Sequence, residues 1–493
     1  MVEQINRDRS DIYGWPLVGF LFRNPAFLLL LKVTVLGLFA YGILYGFMDR
    51  SKENLFTNAL FWGLFWPLFM VLSLGTLGRL FCGLCPHGFL GKYVTKLGLK
   101  RKMPRALQNP IIGVLLLVIG WWAVYYAYPG FFKTPYATAM LFLVMTGIAL
   151  LFYFLFDDMA YCKSICPIGA VSRGFSKLSS ARLGTYRSAC SSCRTFDCAA
   201  ACPQGLKPFT FDSRNSMTDC TLCMECAGAC EAVSFTLQPP SAPLFKKFQI
   251  HKAEVWAFIL ITAAITITMS FHHALGRSAI VEEFFWVRTA RWFEQHFDFG
   301  MADSVGIFAF LFAAIITIAL AVGGMFAASR IMKNPYERTF YTLGYAFAPL
   351  FIIGGLSHLL ESFFLHTASE IANGFIQAFA LPFGSVEPLA TRKDAWVHLF
   401  GIFNYVAGIW ALVILFGRIR LMEGTALRKA VAYPFAGALI LFYLGLNLYK
   451  VHVFETYGVK RGGHHHGSVK ETSLQRPAAR LQPVAQYETE QVL

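Results

Sequence analysis

The sequence predicts an all-α polytopic membrane protein of about nine transmembrane helices, with one small soluble domain inserted midway. Three observations carry that prediction. Of the 493 residues, 56% are hydrophobic and only 14% charged, where a soluble globular chain has about 25% charged. The apolar residues fall in runs of about 20, long enough to cross a ~30 Å hydrocarbon core as helix. Between the fourth and fifth runs lies a polar stretch that holds eight of the twelve cysteines.

The nine runs are 26–48, 55–78, 110–128, 136–157, 253–272, 304–328, 339–364, 396–417 and 431–449. The connections after the second (Lys92, Lys96, Lys100, Arg101, Lys102, Arg105) and fourth (Lys163, Arg173, Lys177, Arg182, Arg187) are strongly basic. So are those after the sixth (Arg330, Lys333, Arg338) and eighth (Arg418, Arg420, Arg428, Lys429). Single crossings put all four on one side, which the positive-inside rule makes cytoplasmic. The expected setting is a bacterial inner membrane, with the N-terminus and soluble domain in the cytoplasm and the tail after Lys450 outside. This distribution also accounts for the net charge of +15 and argues against a nucleic-acid partner. Met1–Asn24 mixes charges of both signs with Trp15 and Pro16, and no small-residue cleavage site follows the first run, so no cleavable leader is expected.

Four parts result: an N-terminal membrane domain (1–180), a soluble domain (181–245), a C-terminal membrane domain (246–450) and a polar tail (451–493) expected to be disordered. The loops 273–303 and 365–395 are amphipathic and expected to lie along the interface. The first two hairpins form an internal repeat. One ends in Phe81-Cys-Gly-Leu-Cys-Pro-His-Gly88, the other in Tyr161-Cys-Lys-Ser-Ile-Cys-Pro-Ile-Gly169.

The cysteines carry the chemistry. Cys220, Cys223, Cys226 and Cys230 have the C-x₂-C-x₂-C-x₃-C spacing of bacterial two-cluster ferredoxins. Cys190, Cys193, Cys198 and Cys202, followed by Pro203, depart from it by a wider second gap. In such ferredoxins the fourth cysteine of each run ligates the other cluster. One [4Fe–4S] cluster is therefore expected on Cys190, Cys193, Cys198 and Cys230, and a second on Cys220, Cys223, Cys226 and Cys202. The inserted domain thus reads as a bacterial two-[4Fe–4S] ferredoxin-like domain. Disulfides are disfavoured on a reducing cytoplasmic side, and zinc ribbons use paired C-x₂-C units. Cys82, Cys85, Cys162 and Cys166 leave two readings open: ligands of a third [4Fe–4S] cluster joining the hairpin ends, or a redox dithiol pair or structural thiols.

The order of hairpin, CxxCP, hairpin, CxxxCP and ferredoxin run resembles the NapH/NosR/CcoG-type membrane polyferredoxins over about residues 20–235. The resemblance implies electron transfer at the membrane, linking a quinol or a cytoplasmic reductant to a periplasmic redox system. It does not reach the spans after residue 250. There, intramembrane ionisable groups are functional candidates: His272 and His273 closing the fifth run, His358 with Glu361 in the seventh, and His398 opening the eighth. Three readings stand for them: haem b ligands, a quinone site, or histidines hydrogen-bonded at helix ends. His87 reads as a loop residue, and His464–His466 as an exposed run able to bind copper or nickel loosely or as a cloning remnant.

No Walker A loop, dinucleotide fingerprint or nucleophile elbow occurs, so no nucleotide partner is expected. The expected function is to relay electrons between cytoplasmic-side clusters and a quinone, haem or periplasmic redox partner protein, as a quinone-linked oxidoreductase or an electron-transfer subunit. The alternatives are a metalloreductase or assembly factor reducing copper or iron, and a redox-sensing membrane regulator.

Overall fold

The computed structural model describes residues 8–211 and 217–460. Among them, eight helices are long and apolar enough to cross a membrane, and Ile111–Ala127 is a shorter apolar one. We number these in chain order: α1 Pro25–Met48, α2 Leu55–Gly75, α3 Ile111–Ala127, α4 Pro135–Leu155, α5 Lys252–Arg277, α6 Ser304–Met332, α7 Tyr336–Ala378, α8 Ala395–Arg420 and α9 Ala438–Tyr457. The chain is a multi-pass membrane protein, nearly all α.

Contacts between helix ends sort the connections into two layers. At one end, Lys92 after α2 pairs with Glu225 of the soluble lobe at 2.5 Å. Lys252 at the start of α5 pairs with Glu337 at the start of α7, and Arg338 reaches Glu423 beyond α8 at 2.8 Å. All four basic segments share this end. At the other, the amide of Asp303 before α6 donates to the Tyr126 carbonyl of α3 at 2.7 Å. There too Ser278 after α5 bridges Val459 after α9.

The lobe is organised by two antiparallel strands, β1 Ala181–Thr185 and β2 Val233–Leu237, in register Ala181↔Leu237 to Thr185↔Val233. The segment before α1 completes it. Asp11 makes an isolated antiparallel bridge to Thr236, and buried Tyr13 donates its hydroxyl to Met224 Sδ at 2.8 Å. Two buried polar contacts tie the lobe and the segment just before it to the second membrane half. Lys177 pairs with Glu254 of α5 at 2.6 Å, and Arg418 of α8 donates to the Leu244 carbonyl at 3.0 Å.

Two boundaries differ from expectation. The seventh span does not stop at 364, because α7 runs on to Ala378. Ile371, Phe375 and Ala378 are spaced to lie on one helix face; Phe375 packs its ring on Phe56, and Gln377 bonds Leu55 N and Glu53 O. Burying that face on the first hairpin favours helix over an interfacial loop. The ninth span begins at Ala438, not 431, because the chain forms a separate helix Ala426–Ala436 that contains Pro434 and ends at Gly437. As a result α9 reaches Tyr457, seven residues into the stretch expected to be disordered. His464–His466 lie outside the described residues.

Candidate redox centre

The repeated Cys-Pro-x-Gly has a local explanation. Cys85 (φ −60°, ψ 130°) and Cys166 (φ −59°, ψ 119°) are extended N-caps, and Pro86 and Pro167 are the first residues of helices Pro86–Leu97 and Pro167–Phe175. Proline suits that position because its missing N–H has no helical partner there. The free amides of the first turn are then aimed at sulfur: Gly169 N donates to Cys166 Sγ at 3.3 Å, and the amides of His87 and Gly88 serve Cys85. The glycine is required by a close approach. A Cβ on Gly169 would sit 2.5 Å from the Cys162 carbonyl oxygen, and one on Gly88 3.3 Å from that of Cys82. Each helix thus starts directly over the first cysteine of its own motif.

The two ends meet. Burial pushes the Cys85 thiol up to about 12, with further rises from Cys162 and Cys82. Burial likewise raises Cys162 to about 11, with Cys82 contributing, and raises Cys166, which also feels Cys162, Cys85 and Cys82. Tyr153 OH lies 2.8 Å from Cys162 Sγ. His87 is not a loop residue; it sits buried in the first turn of Pro86–Leu97, 2.9 Å from Thr146 Oγ1 of α4. Burial lowers its pKa to about 4, so it stays neutral and pins one hairpin to the other.

In the lobe, residues in the left-handed region fold the loops back on their own thiols. Phe196, Leu222 and Met224 have φ of 51°, 52° and 62°. They fall just after Cys193, Cys220 and Cys223, and in each loop amides donate to sulfur: Phe196 N to Cys193, Leu222 N to Cys220 and Glu225 N to Cys223. The lobe thiols sort into two groups. Burial raises Cys198 to about 11, and the thiols acting on it are Cys230, Cys190 and Cys193. Burial also raises Cys226, where Cys220, Cys223 and Cys202 act most strongly and Cys198 less. Cys202, Cys220, Cys223 and Cys226 line one cavity whose remaining lining is mostly apolar, Leu206 and Phe211 among it, with Gln204 and Thr221 as its polar members.

None of the twelve cysteines is joined in a disulfide. Among the described residues, no three His, Cys, Asp or Glu side chains converge tightly enough to chelate a single ion, so the groups are looser than a mononuclear site. Four thiols with amides directed at sulfur, around a mostly apolar cavity, fit an iron–sulfur cluster.

The hairpin group and the lobe are in direct contact. A Cβ on Gly83, inside the first CxxC, would lie 2.5 Å from Thr221 O and 2.8 Å from Leu222 O, inside the C-x₂-C of the lobe. Lys32 of α1 donates to the Cys223 carbonyl at 3.2 Å and pairs with Glu225 at 2.9 Å. Arg79 bridges the same junction from a buried position, donating to Ser172 Oγ at 3.2 Å and to the Thr218 carbonyl at 2.8 Å. Sequence reasoning missed Arg79 and the docking of residues 11–13; the available signal for the first was an arginine three residues before Cys82.

The histidines of the second half lie toward the end opposite the lobe. His272 Nε2 is held by Asp303 at 2.8 Å and its ring packs on Tyr126, with His273 on Tyr125. His358 has Glu361 and Arg277 within electrostatic reach, and His398 Nε2 lies 3.0 Å from the Arg392 carbonyl. In both His272 and His398, Nε2 is engaged by an oxygen of the chain itself.

Comparison with known proteins agrees with the thiol geometry. The family described as "4Fe-4S binding domain" matches residues 58–104 and 138–186. Those segments are the two repeated hairpin ends, with Cys82, Cys85, Cys162 and Cys166. This match agrees with the resemblance to membrane polyferredoxins read from the sequence. It is 29% identical over 188 residues to the uncharacterized protein MJ0750 of Methanocaldococcus jannaschii, covering 34% of this chain and 75% of the relative. It is 30% identical over 173 residues to MJ0749 of the same organism (32% and 65%). It is 29% identical over 205 residues to the Escherichia coli "Putative electron transport protein YccM" (35% and 55%). The chain thus spans between about half and three quarters of these relatives' lengths. No solved structure matches. Together the matches support iron–sulfur electron transfer.

Proposed function

We propose that the chain relays electrons through three four-thiol groups in sequence: the outer lobe group (Cys190, Cys193, Cys198, Cys230), the inner lobe group (Cys202, Cys220, Cys223, Cys226) and the hairpin group (Cys82, Cys85, Cys162, Cys166). From there they pass to or from a quinone or a periplasmic redox partner. One observation carries this reading: the groups are adjacent in that order. Cys226 of the inner group feels Cys198 of the outer, and Arg79 feels both Cys82 and Cys162 of the hairpin group while acting on Cys220 of the inner one. The residues around the outer group, 191–197, are mostly exposed, which suits exchange with a soluble donor. The match of a 4Fe–4S family to the hairpin ends supports a third cluster there. The basic segments support placing the lobe in the cytoplasm of a bacterial cell.

Clusters held by these cysteines would supply one-electron transfer. The chain's own part is to hold the thiols, direct amides at their charge and exclude water from the inner group. The test is electron transmission in sealed liposomes carrying the full chain, with dithionite outside and ferricyanide plus a menaquinone analogue inside. Wild type should bleach the ferricyanide, and Cys193→Ser and Cys85→Ser should each abolish transmission. Normal transmission by Cys85→Ser would refute the relay order. Reduction of free copper or iron without quinone or protein acceptor would favour a metalloreductase instead.

A further inference from the structure

Arg79 is a buried cation without a carboxylate of its own. Its side chain is 4% exposed, and its two hydrogen bonds, to Ser172 Oγ and the Thr218 carbonyl, go to neutral oxygens. Among the described residues no carboxylate comes within 4.0 Å of it. Asp219, the carboxylate of this junction, is ion-paired with Arg173 and reaches Arg79 only electrostatically, without a direct contact. A guanidinium cannot shed its proton, and a buried charge without a partner is costly. Something anionic is therefore expected beside it. On one side stands Cys82, within hydrogen-bond reach of Arg79 and 3.2 Å from the same Ser172 hydroxyl that Arg79 uses. On the other stands Cys220, within electrostatic reach. Four thiolates outweigh the charge of the core they hold, so each loaded group is a net anion.

We propose that Arg79 is the shared counter-ion of the hairpin group and the inner lobe group, holding both at higher potential than they would have without it. This rests on the reading that both groups hold clusters. Taking up one electron adds one negative charge to a group, and a fixed cation between two groups favours that step on either side. Ser172 and Thr218 aim the planar fork so that its charge lies between the groups, a task a lysine ammonium does less well. The outer lobe group lies beyond the inner one and should not sense Arg79. Arg79 is thus a positioning residue for charge, and potentials read its role directly.

The test is an EPR-monitored redox titration of anaerobically purified full chain, with iron counted on the same samples. In Arg79→Gln the potentials of two clusters should fall and the third stay fixed; Arg79→Lys should recover part of the fall. Where Arg79→Gln accumulates without iron, Ser172→Ala carries the test, with a smaller fall confined to the same two clusters. Three clusters whose potentials do not move, or all move alike, would overturn the role of Arg79. Roughly eight irons per wild-type chain would instead refute the three-cluster reading itself, so the two failures are told apart.

Discussion

The lobe and the hairpin ends reach the same four-thiol arrangement by different means. In the lobe every cysteine comes from one stretch, and left-handed residues at Phe196, Leu222 and Met224 bend each loop around its sulfur. At the hairpin ends the thiols come from separate halves of a repeat, each started by a cysteine N-cap and a proline, and tertiary contacts bring them together. His87 to Thr146 and Cys82 to Ser172 are two of those contacts. A site of local turns tolerates disturbance of its neighbours, whereas a site split between two hairpins depends on how they pack.

The largest expected effects come from removing ligands. Cys226→Ser and Cys85→Ser should each lower iron by about four per chain. Cys226 also belongs to the lobe core with Tyr13 and Phe235, so its loss should expose the lobe to limited proteolysis; Cys85→Ser should leave the lobe resistant. Equal protease sensitivity would break the contrast. Next come the glycines of the junction. Gly83→Ala places a Cβ 2.5 Å from a backbone oxygen of the lobe, and overpacking of this kind costs about 1–3 kcal/mol. Its thermal midpoint should fall, with the hairpin signal lost before the lobe signals in EPR.

Gly169→Ala and Gly88→Ala compare the two halves of the repeat. With clearances of 2.5 Å and 3.3 Å, the first should destabilise clearly and the second little, as thermal melts would show. Equal melts would mean that the close approach at Gly169 relaxes freely. The smallest effect is expected from Tyr153→Phe, which removes one hydrogen bond to Cys162, about 1 kcal/mol. It should shift the hairpin cluster's potential slightly and no other.

Much of this was legible in the sequence. Apolar runs show membrane helices because a bilayer allows no unpaired backbone, and the repeated Cys-Pro-x-Gly marked both hairpin ends. What escaped was tertiary. The extension of α7 was missed because its apolar face after residue 364 has meaning only against Phe56. The docking of Asp11 and Tyr13 on the lobe was missed because a single bridge residue followed by one short helical turn carries no periodic signal. Lys92 read as a topology residue and Lys32 sits inside the first apolar run, yet both bind Glu225 beside a thiol group. Arg79 was invisible for a like reason: a lone arginine acquires its role only when two distant motifs close around it.

The central claim is that three four-thiol groups hold three clusters. Iron and acid-labile sulfide per chain, measured on anaerobically purified full-length protein, test it most directly. The account predicts roughly twelve of each. Roughly eight of each would leave Cys82, Cys85, Cys162 and Cys166 as bare thiols and contradict it.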